Sequence, residues 1–228
     1  MLELTARPLF GITLCLLTYA LAMFIKSRVN SPIANPMLLA SLFVIGVLYA
    51  FRIPLENFLS GGDFITMLLA PATAVLAVPM YRQIEVIKRN WLPILVGCVV
   101  GAAVSLISVY VLCRIFIIPD EIVMSMLPKS ITTAIATELS SQIGGIVPLT
   151  VAAVCFTGIF GAVMCPYFIK WFKVDNPIAA GLAIGASCHA LGTSKAIEIG
   201  EIEGMMSGIS IGLCGLATII FVIISGLG

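Results

Sequence analysis

Lys129 stands in a stretch, Leu127 to Gly145 (LPKSITTAIATELSSQIGG), that is apolar enough to enter a bilayer yet carries a cation, an anion and a row of hydroxyls. Pro128 precedes the lysine, and Ser130, Thr132 and Thr133 follow it. A cation beside hydroxyl donors at the start of a helical segment suits a small carboxylate, because the free amides and the helix dipole there also favour negative charge. The competing reading is a lysine reaching back to the interface from a helix end. Glu138 falls roughly 13 Å further along an ideal helix. It is placed to carry a proton, to pair with Lys195, or to stand solvated in a loop. A second polar island, Ala186 to Glu198 (ASCHALGTSKAIE), holds the only histidine, His189, between Ser187 and Thr193 in a segment with Gly181, Gly185 and Gly192. His189 suits anion binding or proton relay near neutral pH; the plainer alternative is a buried ring hydrogen-bonded for structure. Lys195 and Glu198 have the spacing of a helical ion pair. The two islands read as halves of one binding site, since an ionisable group at membrane depth faces a partner or a water-filled cavity.

The elements that must position these groups are membrane helices. Of 228 residues, 61% are hydrophobic and 10% charged, and the mean hydropathy is +1.17; a soluble domain carries about 25% charged residues. The expectation is an all-α, polytopic integral membrane protein, a single transmembrane domain over residues 1–228. About seven or eight membrane elements fit at about 20 residues each. A net charge of +1 gives no footprint for nucleic acid. Enzyme chemistry is disfavoured as well: no Gly-x-Ser-x-Gly elbow accompanies His189, and Gly61-Gly62-Asp63 lacks a second membrane aspartate. One histidine without clustered cysteines or carboxylates makes a poor zinc site, so neither metal nor cofactor is expected. The seven cysteines are scattered through apolar runs, as small buried hydrophobes would be.

Uncharged runs mark the spans. Leu9–Ile25, flanked by Lys26 and Arg28, reads as a first span rather than a cleavable signal. Ile33–Phe51 follows, then a loop with Arg52, Glu56 and Asp63, then Phe64–Tyr81. Pro71 and Pro79 predict that this last helix is kinked or broken. Trp91–Cys113 is a plain span whose Gly97, Gly101, Ala102 and Ser105 permit close packing. The uncharged run Leu139–Ile169 is too long for one span, and Gly144, Gly145 and Pro148 break it. Asn176–Ser194 and Gly204–Gly228 complete the set. Cytoplasmic loops collect Lys and Arg, which puts Lys26/Arg28, Arg82/Lys88/Arg89 and Lys170/Lys173 inside and Arg114 outside. Between Arg114 and Lys170 lie two apolar elements, so one must return to its own side. The stretch around Lys129 and Glu138, opened by Pro128, is the candidate re-entrant or broken helix. Leu69-Ala70-Pro71-Ala72-Thr73 echoes Met126-Leu127-Pro128-Lys129-Ser130, and Asn35-Pro36 echoes Asn176-Pro177. Pro-interrupted segments in two halves point to a transporter built from inverted repeats.

Several of these motifs carry a family resemblance. Leu127-Pro128-Lys129-Ser130-Ile131-Thr132-Thr133, Ile143-Gly144-Gly145, Cys188-His189-Ala190-Leu191-Gly192-Thr193 and Gly204-Met205-Met206-Ser207-Gly208 resemble the bacterial LrgB/CidB family, over nearly the whole chain. Ala134 stands where the family pattern has a proline, and Cys188 where a serine commonly precedes the histidine. The resemblance implies one of two functions. One is an antiholin-like regulator of murein hydrolase activity and lysis, working with a small LrgA/CidA-type membrane protein. The other is a carrier of small monocarboxylates of the glycolate, glycerate and pyruvate class, in the bacterial cytoplasmic membrane. A carrier would use Lys129, Ser130, Thr132, Thr133, His189, Gly192 and Thr193 for substrate, with Glu138, Lys195 or Glu198 for proton coupling. It would move the broken helices against plain spans such as Trp91–Cys113, and a homodimer or higher homo-oligomer is expected.

Overall fold

The computed structural model of the chain describes residues 5–29, 36–68, 71, 75, 81 and 84–226. The described elements are helical, as an apolar chain in lipid requires, because each backbone polar group must be satisfied within its own segment. Two compact units form, Met1–Leu76 and Ala77–Gly228.

In the first unit, α1 (Pro8–Arg28) opens on a proline and closes on Lys26 and Arg28, which suit the negative end of the helix dipole. α2 spans Pro36–Ala50. The expected loop with Glu56 and Asp63 is instead a helix, α3 (Leu55–Thr66). Glu56 sits in its first turn, where a carboxylate is favourable, and Gly61 lets its backbone touch α1. A Cβ on Gly61 would lie 2.7 Å from Gly11 Cα and 2.8 Å from Ile12 N. Asn57 Nδ2 also donates to Thr5 Oγ1 at 3.1 Å. Gly61→Leu should therefore cost about 1–3 kcal/mol through overpacking, while Gly62→Leu, with open space around it, should cost nothing measurable. Midpoints of heat-induced aggregation in detergent would show the difference; equal midpoints would refute the close approach. Pro79 and most of the surroundings of Pro71 lie outside the described residues, as does the first half of both internal echoes apart from Pro36 and Pro71.

The second unit holds α4 (Ile84–Arg89), α5 (Trp91–Ile115), α6 (Asp120–Met126), a 3₁₀ turn (Leu127–Ser130), α7 (Thr133–Gln142), α8 (Val147–Trp171), α9 (Pro177–Ile199) and α10 (Glu201–Ile224). Among the described residues, α1, α5, α8 and α10 are long and apolar enough to cross a membrane. The remaining membrane elements of this unit are interrupted.

α6 and α7 form the first helical hairpin. Neither arm, at 7 and 10 residues, spans the roughly 30 Å hydrocarbon core at 1.5 Å per residue. Pro128 leaves the helical region (φ −83°, ψ 15°), and Ile131 and Thr132 are extended. The second arm ends in a Schellman turn, with Gly144 at φ 77° and Gly145 N–H donating to Ser140 O at 2.7 Å. Beyond it Ile146 N–H donates to Ser125 Oγ at 2.7 Å, so the chain is again beside the C-terminal end of α6. Arms this short are compatible with the non-crossing element that the charge placement suggests.

α9 is a second hairpin, reversing at His189 (φ 42°, ψ −138°). A Cβ on Gly192 would lie 2.9 Å from Ile184 Cγ2, whereas eight residues of straight helix would separate these positions by about 12 Å. The first arm runs parallel to α10: Gly181 meets Glu203 and Met206, and Gly185 meets Ser207 and Ser210. The second arm runs antiparallel to it: Thr193 bonds Ser207 at 2.7 Å, and Gly204 meets Ile197.

The hairpins enter from opposite ends of the unit. Along α5, Gly97 meets Leu182 and Gly101 meets Ala186, so the second hairpin rises with the helix. Next, Ser105 meets Ser130, and Leu106 and Val109 share a buried cluster with Leu127 and Val123, so the first hairpin descends. Each hairpin is followed by a long helix, α8 or α10, of opposite direction. The two hairpins thus run in opposite directions, in a pairing different from that of the short sequence echoes.

Candidate functional site where two hairpin tips meet

A cavity of about 1130 Å³ runs along the first arm of α9, from Asn90 and Asn176 at one end to Lys129 and Ser130 at the other. Lys129 is the one charged residue in its wall among the described residues. Its Nζ donates to Ser130 Oγ at 3.1 Å, and Ser105 Oγ on α5 donates to the same oxygen at 2.8 Å. Cys188 and Ser187, at the tip of the second hairpin, complete this end of the cavity. The remaining wall is largely apolar, from α5 and from Phe156 and Phe160 of α8. A cation at one end of a largely apolar cavity, beside a hydroxyl pair, is suited to one carboxylate.

The other residues named from sequence lie apart from that wall. His189 is buried, and its Nε2 meets Val154 O at 3.1 Å. A carbonyl only accepts, so Nε2 carries the proton. The ring lodges against Gly158, where a Cβ would fall 2.6 Å from Cε1. His189 thus fastens the tip of the second hairpin to α8 and does not face the cavity. Thr193 donates to His189 O at 3.1 Å and bonds Ser207, while buried Gly192 lets the two arms close. Thr132 is the N-cap of α7 and Thr133 its first residue, both half-buried. Glu138 is exposed and accepts from Gln142 Nε2 at 2.8 Å; it does not meet Lys195. Lys195 pairs with Glu198 at 2.6 Å. Pro128, Gly144 and Gly145 make the first hairpin's two bends.

Three features escaped the sequence reading. Ser105 was visible only as a small residue suited to packing. Gly158 and Gly161, three apart and so on one face of α8, receive His189 and Cys188; that spacing was the available signal. The α9 reversal itself carries no proline or glycine at its turning residue.

The LrgB-like family profile matches residues 15–226. The chain belongs to the LrgB-like family. This LrgB-like chain is 37% identical over 209 residues to the uncharacterized protein YxaC of Bacillus subtilis (strain 168), covering 90% of this chain and 91% of that protein. It is 35% identical over 219 residues to proteins named antiholin-like protein LrgB from Bacillus mycoides (strain KBAB4) and Bacillus cereus (strain B4264), covering 96% of this chain and 95% of each. No solved structure matches. With its apolar helices and these relatives, it is a multi-pass membrane protein.

Proposed function

We propose that the chain carries small 2-hydroxy or 2-oxo monocarboxylates, of the glycolate, glycerate and pyruvate class, across a bacterial cytoplasmic membrane. The observation that carries this reading is Lys129: a single cation in the cavity wall, held where two opposed re-entrant hairpins meet. Half-helices ending at mid-depth are how secondary transporters bring backbone dipoles and polar groups to a substrate. Val86 and Ile87 of α4 pack against the base of the second hairpin, as does Ile169 of α8. Lys88, Arg89, Lys170 and Lys173 therefore gather at one end of the unit, and the positive-inside rule makes that end cytoplasmic. Ser105 ties α5 to the first hairpin, and Gly97 and Gly101 seat it on the second. These contacts favour a reading in which α5 moves with the hairpins rather than standing as the wall against which they slide.

The names of the relatives favour a second reading, an antiholin-like regulator of murein hydrolase activity and lysis that works with a small LrgA/CidA-type membrane protein. A homodimer is compatible with both. Proteoliposomes separate them. Labelled pyruvate, glycolate and glycerate should enter saturably through the chain alone, with a pH gradient deciding proton coupling. Absence of uptake for all three by folded protein, with none gained on adding a small partner, would leave the regulator or a different substrate.

A further inference from the structure

We propose that Ser130, held by Ser105, reads the oxygen on carbon 2 of the carried acid and so separates 2-oxygenated acids from plain ones. The inference rests on the carrier reading above and names what selects within it. A hydroxyl owns one proton and two lone pairs. Ser130 Oγ accepts from Ser105 Oγ at 2.8 Å and from Lys129 Nζ at 3.1 Å, which occupies both lone pairs. Its proton is left to donate, at a residue lining the cavity.

The hydroxyl pairs Ser140–Thr150 and Thr193–Ser207 also bridge elements, but they lie outside the cavity wall. Ser108, Ser125, Thr137, Ser187 and Ser194 spend their protons on carbonyls three or four residues back, the usual fate of a hydroxyl in a helix. Ser105 instead turns its proton onto the first hairpin, and Ser130, the last residue of the 3₁₀ turn, donates to no carbonyl among the described residues. The ammonium has further protons for a carboxylate, and 3.1 Å away stands one neutral donor. A 2-oxo or 2-hydroxy acid presents a matching pair of acceptors, a carboxylate oxygen and a 2-oxygen three bonds apart. Acetate and propionate present only the first. Ser130 touches substrate in this arrangement, whereas Ser105 is a positioning residue.

The test is equilibrium binding and uptake competition with pyruvate, glycolate, acetate and propionate, using purified wild type, Ser105→Ala, Ser105→Thr, Ser130→Ala, Ser108→Ala and Lys129→Ala. Wild type should prefer pyruvate to propionate by about 3- to 10-fold, the worth of one neutral hydrogen bond. Ser105→Ala and Ser130→Ala should collapse that ratio towards one by weakening pyruvate alone, raising KM and leaving kcat in place. Ser105→Thr should restore it, and Ser108→Ala should leave it unchanged. A ratio untouched by both alanine variants overturns the inference. So does an equal loss for pyruvate and propionate, which would mean that the hydroxyl holds the carboxylate itself. Lys129→Ala should weaken all four acids. If it weakens none, or wild type binds none, the carrier reading has failed, and this inference falls with it.

Discussion

Lys129→Ala should abolish saturable carboxylate uptake, with kcat/KM falling about 100-fold or more if the carrier reading holds. Truncating one member of a desolvated, hydrogen-bonded charge pair costs 2–5 kcal/mol, and each 1.4 kcal/mol is tenfold. In this chain the loss has no substitute, because no other charged residue among those described lines the cavity. Lys129→Arg should recover only part of the activity. It keeps the charge, but its planar fork does not reproduce a compact ammonium beside Ser130. Uptake by Lys129→Ala within threefold of wild type, in protein of normal monodispersity, would sink the assignment of Lys129 as the carboxylate's partner.

The second large effect comes from an uncharged position on α8. Gly161 faces Cys188 so closely that a Cβ there would collide with its sulfur and approach its Cβ to 2.8 Å. Without a hydrophobic force between helices in lipid, such small-residue contacts let backbones approach and hold. Gly161→Val should push the second hairpin's tip away from α8, disturbing Cys188 in the cavity wall and, next to it, His189 on Val154 O. Uptake should fall about tenfold or more. Cys188→Gly, which removes both colliding atoms, should return most of the loss in the double variant, while Cys188→Gly alone should be mild. A double variant no better than Gly161→Val would place the damage elsewhere along α8.

These two sites differ in how readable they were. The first hairpin is written in local chemistry: Pro128 cannot continue a helix, Gly144 accepts the positive φ of a Schellman turn, and the lysines at the end of α8 demand that one element not cross. The second hairpin has no such punctuation. Its turning residue is a histidine at positive φ, a costly conformation for a non-glycine residue, and it is held by partners distant in sequence, Val154, Gly158 and Ser207. Local propensity therefore pointed to an unbroken helix. The same logic explains the role of His189: its polarity was legible, but the carbonyl it binds lies 35 positions away. It explains α3 too, where charges suggested a loop while the deciding fact, the backbone contact of Gly61 with α1, is tertiary. Ser105 was read as a small residue for packing, and its proton's destination became visible only once the first hairpin was in place.

The opposed entry of the two hairpins has a consequence for how the chain is made. The first hairpin leaves the ribosome well before His189 and Cys188, on the order of seconds earlier at ordinary synthesis rates. Throughout that interval the cation at its tip and the unpaired backbone around Pro128 face the membrane interior without the tip that later covers them. The half-made protein is thus an intermediate that lipid alone does not accommodate well. Codons that slow synthesis between residues 145 and 200 should therefore lower yield more than the same codons after 205.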